Sequence, residues 1–190
     1  MSERHERMKR IRRERRRKRR QEWSLVKTLK SISGWLVIAF TAMILGYGFV
    51  SFGFQNIYMV GPSMSPTIED GEKLVVNQLA YTFGEPERYD IVAFRSVEHQ
   101  DKYYTIKRVI GLPGETVLIQ NGNVYINGNP LVDSPIDDYI YTPGVAEDSI
   151  TLGDGEYFLL GDNVNSSEDS RYPNVGNIKK TEIIGRIKVK

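Results

Sequence analysis

This 190-residue sequence has no cysteine and only two histidines. Without cysteine there is no disulfide framework, no thiol nucleophile and no thiolate metal site. Of the histidines, His5 lies in a basic N-terminal arm. His99 stands in the polar stretch Glu98-His99-Gln100-Asp101, which reads as a solvated turn between strands. A Ser-His-Asp arrangement therefore has no well-placed imidazole. The absence of a His-Glu-x-x-His pair argues against a zinc hydrolase, and the absence of a GxxxxGK[ST] loop argues against nucleotide chemistry. No cofactor and no metal are expected, and catalysis is left to serine, lysine and carboxylate.

Long apolar runs are equally scarce, and there is one. Residues 34–52, GWLVIAFTAMILGYGFVSF, carry no charge and match the length of a bilayer-spanning helix. The net charge of +2 hides a sharp division: residues 1–30 hold 14 Lys/Arg against 4 Asp/Glu, and residues 31–190 hold 12 against 20. Cations concentrated before the apolar run predict a cytoplasmic N-terminus, with everything after about Phe54 outside. The block Arg15-Arg16-Arg17-Lys18-Arg19-Arg20 suits anionic lipid headgroups. Nucleic acid is not an expected partner, because no RNA- or DNA-reading motif accompanies the arm and the acidic remainder would repel a phosphate backbone. The length of the apolar run and of the arm before it favours a retained signal anchor over a cleaved signal peptide. The expected organisation is a basic cytoplasmic arm at 1–30, a transmembrane anchor at 31–54 and one extracytoplasmic domain at 55–190. The arm is expected to be disordered or an interfacial helix with Trp23, Leu25 and Leu29 toward lipid.

The outer segment alternates short β-like runs with turn signals: Lys73–Leu79, Asp90–Arg95, Tyr103–Ile110, Thr116–Ile119, Asn123–Ile126, Ser149–Leu152, Tyr157–Leu160 and Ile183–Val189. Asn121-Gly122 between two such runs is the preferred dipeptide of a two-residue hairpin. Asn127-Gly128 and Gly153-Asp154-Gly155 read as further turns, and loops are expected at Tyr81–Arg88 and Asn129–Glu147. The fold class is mainly β: a single N-terminal transmembrane helix followed by an all-β domain with few helices.

Two stretches of this domain offer chemistry. Gly61-Pro62-Ser63-Met64-Ser65-Pro66-Thr67 supplies a serine, and Tyr104-Thr105-Ile106-Lys107-Arg108-Val109-Ile110 supplies a lysine. A serine hydroxyl needs a neighbouring base, and a lysine serves as one only if its surroundings keep it uncharged. Moving an ammonium from a reference pKa near 10.4 to around 7 or 8 requires roughly 3 to 4 kcal/mol of destabilisation of its charged form. The apolar neighbours Ile106, Val109 and Ile110, with Tyr103 and Tyr104, make an inward-pointing Lys107 the expectation. Arg108, on the opposite face of the strand, is expected to be solvated.

Gly61 to Ile68, Tyr89-Asp90-Ile91-Val92-Ala93-Phe94, Lys107 to Glu115, and Gly161-Asp162-Asn163 through Asp169-Ser170-Arg171 resemble, in order and spacing, the sequence boxes of the type I signal peptidases. The resemblance covers roughly residues 20–190. It implies a membrane-bound serine endopeptidase that cleaves exported preproteins after small residues at the −1 and −3 positions of the signal peptide. Ser63 would be the nucleophile and Lys107 the general base. The backbone N–H of Ser63 would bind the oxyanion; where some relatives add a serine hydroxyl this sequence has Gly61, which leaves either fewer side-chain donors or a contribution from the backbone of the Gly61 region. Ser167 would hydrogen-bond and orient the lysine, and Asp169 and Arg171 would form a supporting ion pair. Val164 and Ser166 depart from the usual pattern of the last box. Ile57, Tyr58, Met59 and Val60 are candidates for an extended-peptide groove or for lipid contact. A reading of a different class is a non-catalytic anchored β-domain that binds an exported partner, which would keep its function when Ser63 is replaced.

Overall fold

The computed structural model describes residues 2–82, 84–95 and 104–189; within 2–30 it describes side chains only for Arg15, Lys18, Arg19 and Trp23. His99 and Tyr103 lie outside the described residues. The chain divides into two compact units, 1–50 and 51–190.

The first unit is helical. Helix α1 runs Ser2–Gly53 without interruption, so the arm and the apolar run form one helix. From Ser31 to Gly53 it is long and apolar enough to cross a membrane, and Trp35, Leu36, Phe40 and Leu45 are exposed along it. A backbone in hydrocarbon has no water to bond, so a continuous helix satisfies its amides internally.

The second unit is antiparallel β. Its strands are β1 (Phe54–Tyr58), β2 (Lys73–Asn77), β3 (Ile91–Arg95), β4 (Tyr104–Gly111), β5 (Thr116–Gln120), β6 (Asn123–Ile126), β7 (Asn129–Pro130), β8 (Ile150–Thr151), β9 (Glu156–Leu160), β10 (Ile178–Lys179) and β11 (Ile183–Ile187). One sheet has the order β1-β2-β11-β3-β4-β9-β10, and a smaller one has the order β7-β6-β5-β8. Among the described residues the helical segments of this unit are short 3-10 turns, at Gly144–Glu147, Val164–Ser166 and Lys180–Glu182. The domain is the mainly-β fold that the alternating runs predict. The turn at Asn121-Gly122 has φ of 50° and 74°, the conformation a tight hairpin requires and asparagine and glycine tolerate.

β3 and β4 lie at the centre and are buried on both faces. Ile91, Ala93 and Ile106 pack with Met59, Met64, Ile68, Leu74 and Val76, while Val92, Phe94 and Val109 pack with Tyr157 and Leu159. This overturns the expectation of a solvated Arg108. With both faces covered, its guanidinium is drawn into a buried ion pair with Asp162, Nε to Oδ1 at 2.7 Å and Nη2 to Oδ2 at 2.6 Å. A third donor reaches Tyr89 O at 2.9 Å.

Candidate active site

The Ser63 loop is shaped by its apolar neighbours. Between β1 and β2 the chain makes a broad turn closed by Met59 N to Glu72 O and Gly71 N to Met59 O, at 2.9 and 3.0 Å. Met64 and Ile68 project into the core and are fully buried, and Ile68 N bonds Met64 O at 3.0 Å. Each such burial contributes about 1.5–3 kcal/mol. Pinning Met64 leaves Ser63 with little freedom at the rim of the core.

Lys107 comes from the middle of β4. Its Nζ lies 2.7 Å from Ser63 Oγ, and the residue is 3% exposed. Burial lowers its pKa from the usual 10.5 to about 8; Asp169, Glu168 and Asp162 pull it back upward, and Arg171 pushes it further down. An appreciable share of the amine is therefore unprotonated near neutral pH, within hydrogen-bonding reach of a hydroxyl.

Of the backbone groups suited to hold a developing oxyanion, Ser63 N–H has no partner among the described residues. Gly61 is the other backbone donor named from the sequence. Its N–H donates to Asp70 Oδ1 at 2.8 Å, so a nearby carboxylate has already claimed it as a loop constraint.

The last box surrounds the pair. Asp169 and Arg171 form a buried bidentate ion pair, Nε to Oδ1 at 2.7 Å and Nη2 to Oδ2 at 2.9 Å. Arg171 also donates to the carbonyls of Thr142, Val164 and Ser167. Ser167 Oγ donates to Asp169 Oδ2 at 2.7 Å; a bond from Ser167 to Lys107 is not formed among the described residues. The carboxylate, aimed by Arg171, is the stronger acceptor for that hydroxyl. Gly161 permits the close approach of these parts, because a Cβ there would fall 2.4 Å from Ser63 O and 2.3 Å from Ser167 Oγ.

Sequence reasoning passed over Asp70 and gave no role to Gly161, Asp162 or Asn163. The last three were visible as the start of a box whose later residues took the attention. Asp162 pairs with Arg108, next to Lys107, while Asn163 bonds the Ser63 loop, through Nδ2 to Pro62 O at 3.2 Å and through N to Ser63 O at 3.1 Å.

A cleft of about 340 Å³ opens beside the pair, lined by Met59, Val60, Ser63 and Tyr104 to Lys107. β4 pairs with β3 along Tyr104–Arg108, whereas its pairing with β9 begins only at Arg108. Among the described residues no strand pairs with the other edge of Tyr104–Lys107, the geometry that peptide binding by β-augmentation uses.

The sequence model of the family described as "Signal peptidase, peptidase S26" matches residues 32–190. Probable signal peptidase I-2 of Synechocystis sp. is 35% identical over 153 residues, 77% of this chain and 66% of that protein. Signal peptidase I V of Bacillus subtilis is 31% identical over 167 residues, 80% of this chain and 95% of that protein. A solved signal peptidase I from Enterococcus faecalis is 33% identical and covers 55% of this chain and 97% of its own, with a TM-score of 0.45. Matched across most of its length, the chain is a peptidase of the signal peptidase family, peptidase S26.

Proposed function

We propose that this chain is a membrane-anchored endopeptidase that removes signal peptides from exported preproteins, with Ser63 as nucleophile and Lys107 as general base. The observation that carries the reading is the 2.7 Å separation of Lys107 Nζ and Ser63 Oγ, with the amine buried. The uncharged amine takes the hydroxyl proton as Oγ attacks the scissile carbonyl, and the resulting ammonium gives that proton to the departing amine. Water then enters, loses a proton to Lys107 and hydrolyses the acyl-enzyme, restoring the serine. Ser63 N–H stabilises the oxyanion in both halves. Asp169, held by Arg171, accepts from both Ser167 Oγ and Gly161 N–H and so ties the two together.

The substrate segment before the scissile bond lies extended along the open edge of β4. Met59 and Ile106 are nearly closed to solvent beneath the cleft, which favours small side chains at the −1 and −3 positions. Residues 31–53 anchor the protein in the cell membrane with the basic arm cytoplasmic and the β domain outside, where preproteins emerge.

Cleavage of a preprotein by Ser63→Ala and Lys107→Ala, each assayed beside the parent, tests the assignment. Each substitution is expected to abolish turnover while the domain melts cooperatively, and processing by either variant removes that residue from the mechanism.

A further inference from the structure

Asn163 precedes the short turn Val164–Ser166, the capping position at which an asparagine side chain ordinarily accepts from the amides of its own turn. It makes no such bond. Its Nδ2 is diverted across 101 residues of sequence to Pro62 O at 3.2 Å, and its backbone N–H donates to Ser63 O at 3.1 Å. One residue thus holds the carbonyls on both sides of the Ser63 nitrogen and Cα. Pro62 O also accepts from Ser65 N at 3.1 Å, which fixes the same carbonyl from within the loop.

The peptide linking Pro62 to Ser63 is trans, since the cis bond in this loop is Ser65–Pro66. A trans peptide is planar, so its C=O and N–H point in opposite directions and turn together. Whatever holds Pro62 O therefore aims Ser63 N–H, the one candidate oxyanion donor that has no partner among the described residues. We propose that Asn163 is a positioning residue for the oxyanion hole: its side-chain amide, bonded to Pro62 O, sets the direction of the Ser63 N–H. The proposal rests on the reading of Ser63 as the nucleophile. Asn163 touches no reacting atom, and its effect passes entirely through the orientation of one peptide plane.

The test uses the full-length protein carrying Asn163→Ala or Asn163→Asp. The second keeps the side-chain size but replaces the donor with an acceptor facing a carbonyl. Preprotein cleavage gives kcat and KM. Inhibition by a peptide aldehyde, whose carbon takes Ser63 Oγ while the hydroxyl proton passes to Lys107, reports on the tetrahedral state. Binding of uncleaved preprotein is measured in a Ser63→Ala background. Removal of a whole oxyanion donor costs roughly 10²–10³ in kcat, so a donor loosened but still present is expected to cost about tenfold. Aldehyde affinity should fall by the same factor, with preprotein binding and the pH midpoint of activity unchanged. The proposal is overturned if kcat and aldehyde affinity stay at the parent level, or if preprotein binding weakens as much as aldehyde binding does. Should Asn163→Ala melt without cooperativity, the isosteric Asn163→Asp decides alone. Full activity in the Ser63→Ala control is a different failure, striking the nucleophile assignment and not the role of Asn163.

Discussion

Lys107 shows how a single side chain can oppose the stability of the fold that holds it. The folded amine titrates near 8 and the unfolded lysine near 10.5. Below pH 8 both states carry the proton and the native state bears the full burial penalty, about 3 kcal/mol for a difference of this size. Between pH 8 and 10.5 the unfolded chain binds more protons, so stability rises with pH; above that window the penalty is gone. Lys107→Met should therefore be more stable than the parent at pH 7, by up to about 3 kcal/mol in denaturant melts, with the gain fading toward pH 10.5. A loss of stability at pH 7 would mark Lys107 as an ordinary structural residue. With Lys107 as the proposed base, kcat/KM should climb with a midpoint near pH 8, and a profile rising only around the free-lysine value contradicts a buried base. At Asp169 the sign reverses. Asp169→Asn leaves the buried guanidinium of Arg171 without its counter-charge and should cost about 3–5 kcal/mol by denaturation, whereas a cost under about 1 kcal/mol would mean water already shares that site.

Among the elements, the β1–β2 connection matters most, because it turns core packing into the placement of Ser63, the proposed nucleophile. Met64→Ala removes a fully buried side chain one residue from Ser63 and should cost about 2–5 kcal/mol, with kcat falling more than KM changes. An unchanged kcat at reduced stability would show that the loop holds Ser63 without this plug. The sequence made several elements plain. The hairpin at Asn121-Gly122 was readable because a type I′ turn needs two residues at positive φ, and β4 was readable from its aromatic and β-branched run. β1 was not, since Phe54-Gln55-Asn56-Ile57-Tyr58 follows directly on an apolar helix and alternates only weakly. β7 and β10 are two residues each, below any periodicity. Ser63 and Lys107 could be named from motif chemistry. Asp70, Asp162 and Asn163 act through contacts 9, 54 and 101 residues away in sequence, and local pattern carries no trace of such pairings. Arg108 was misjudged because alternation gives the face a residue points to, and the covering of that face depends on distant strands.

On the scale of the whole molecule, the proposed anchor would be an advantage of concentration. Holding enzyme and preprotein on one membrane raises the effective concentration of each for the other without any new contact. Removing residues 2–50 should lower cleavage of a membrane-inserted preprotein on the order of 10²-fold while leaving cleavage of a soluble peptide unaltered. Equal losses on both substrates would mean that the helix supports the domain and does more than tether it. The proposed chemistry depends on the state of one nitrogen atom. The most direct measurement is an NMR titration of ¹⁵N-lysine-labelled full-length protein in detergent, with the Lys107 resonance assigned by its loss in Lys107→Met. The account predicts an apparent pKa of about 8 for that nitrogen. A value near 10.4, that of a lysine free in water, would contradict it.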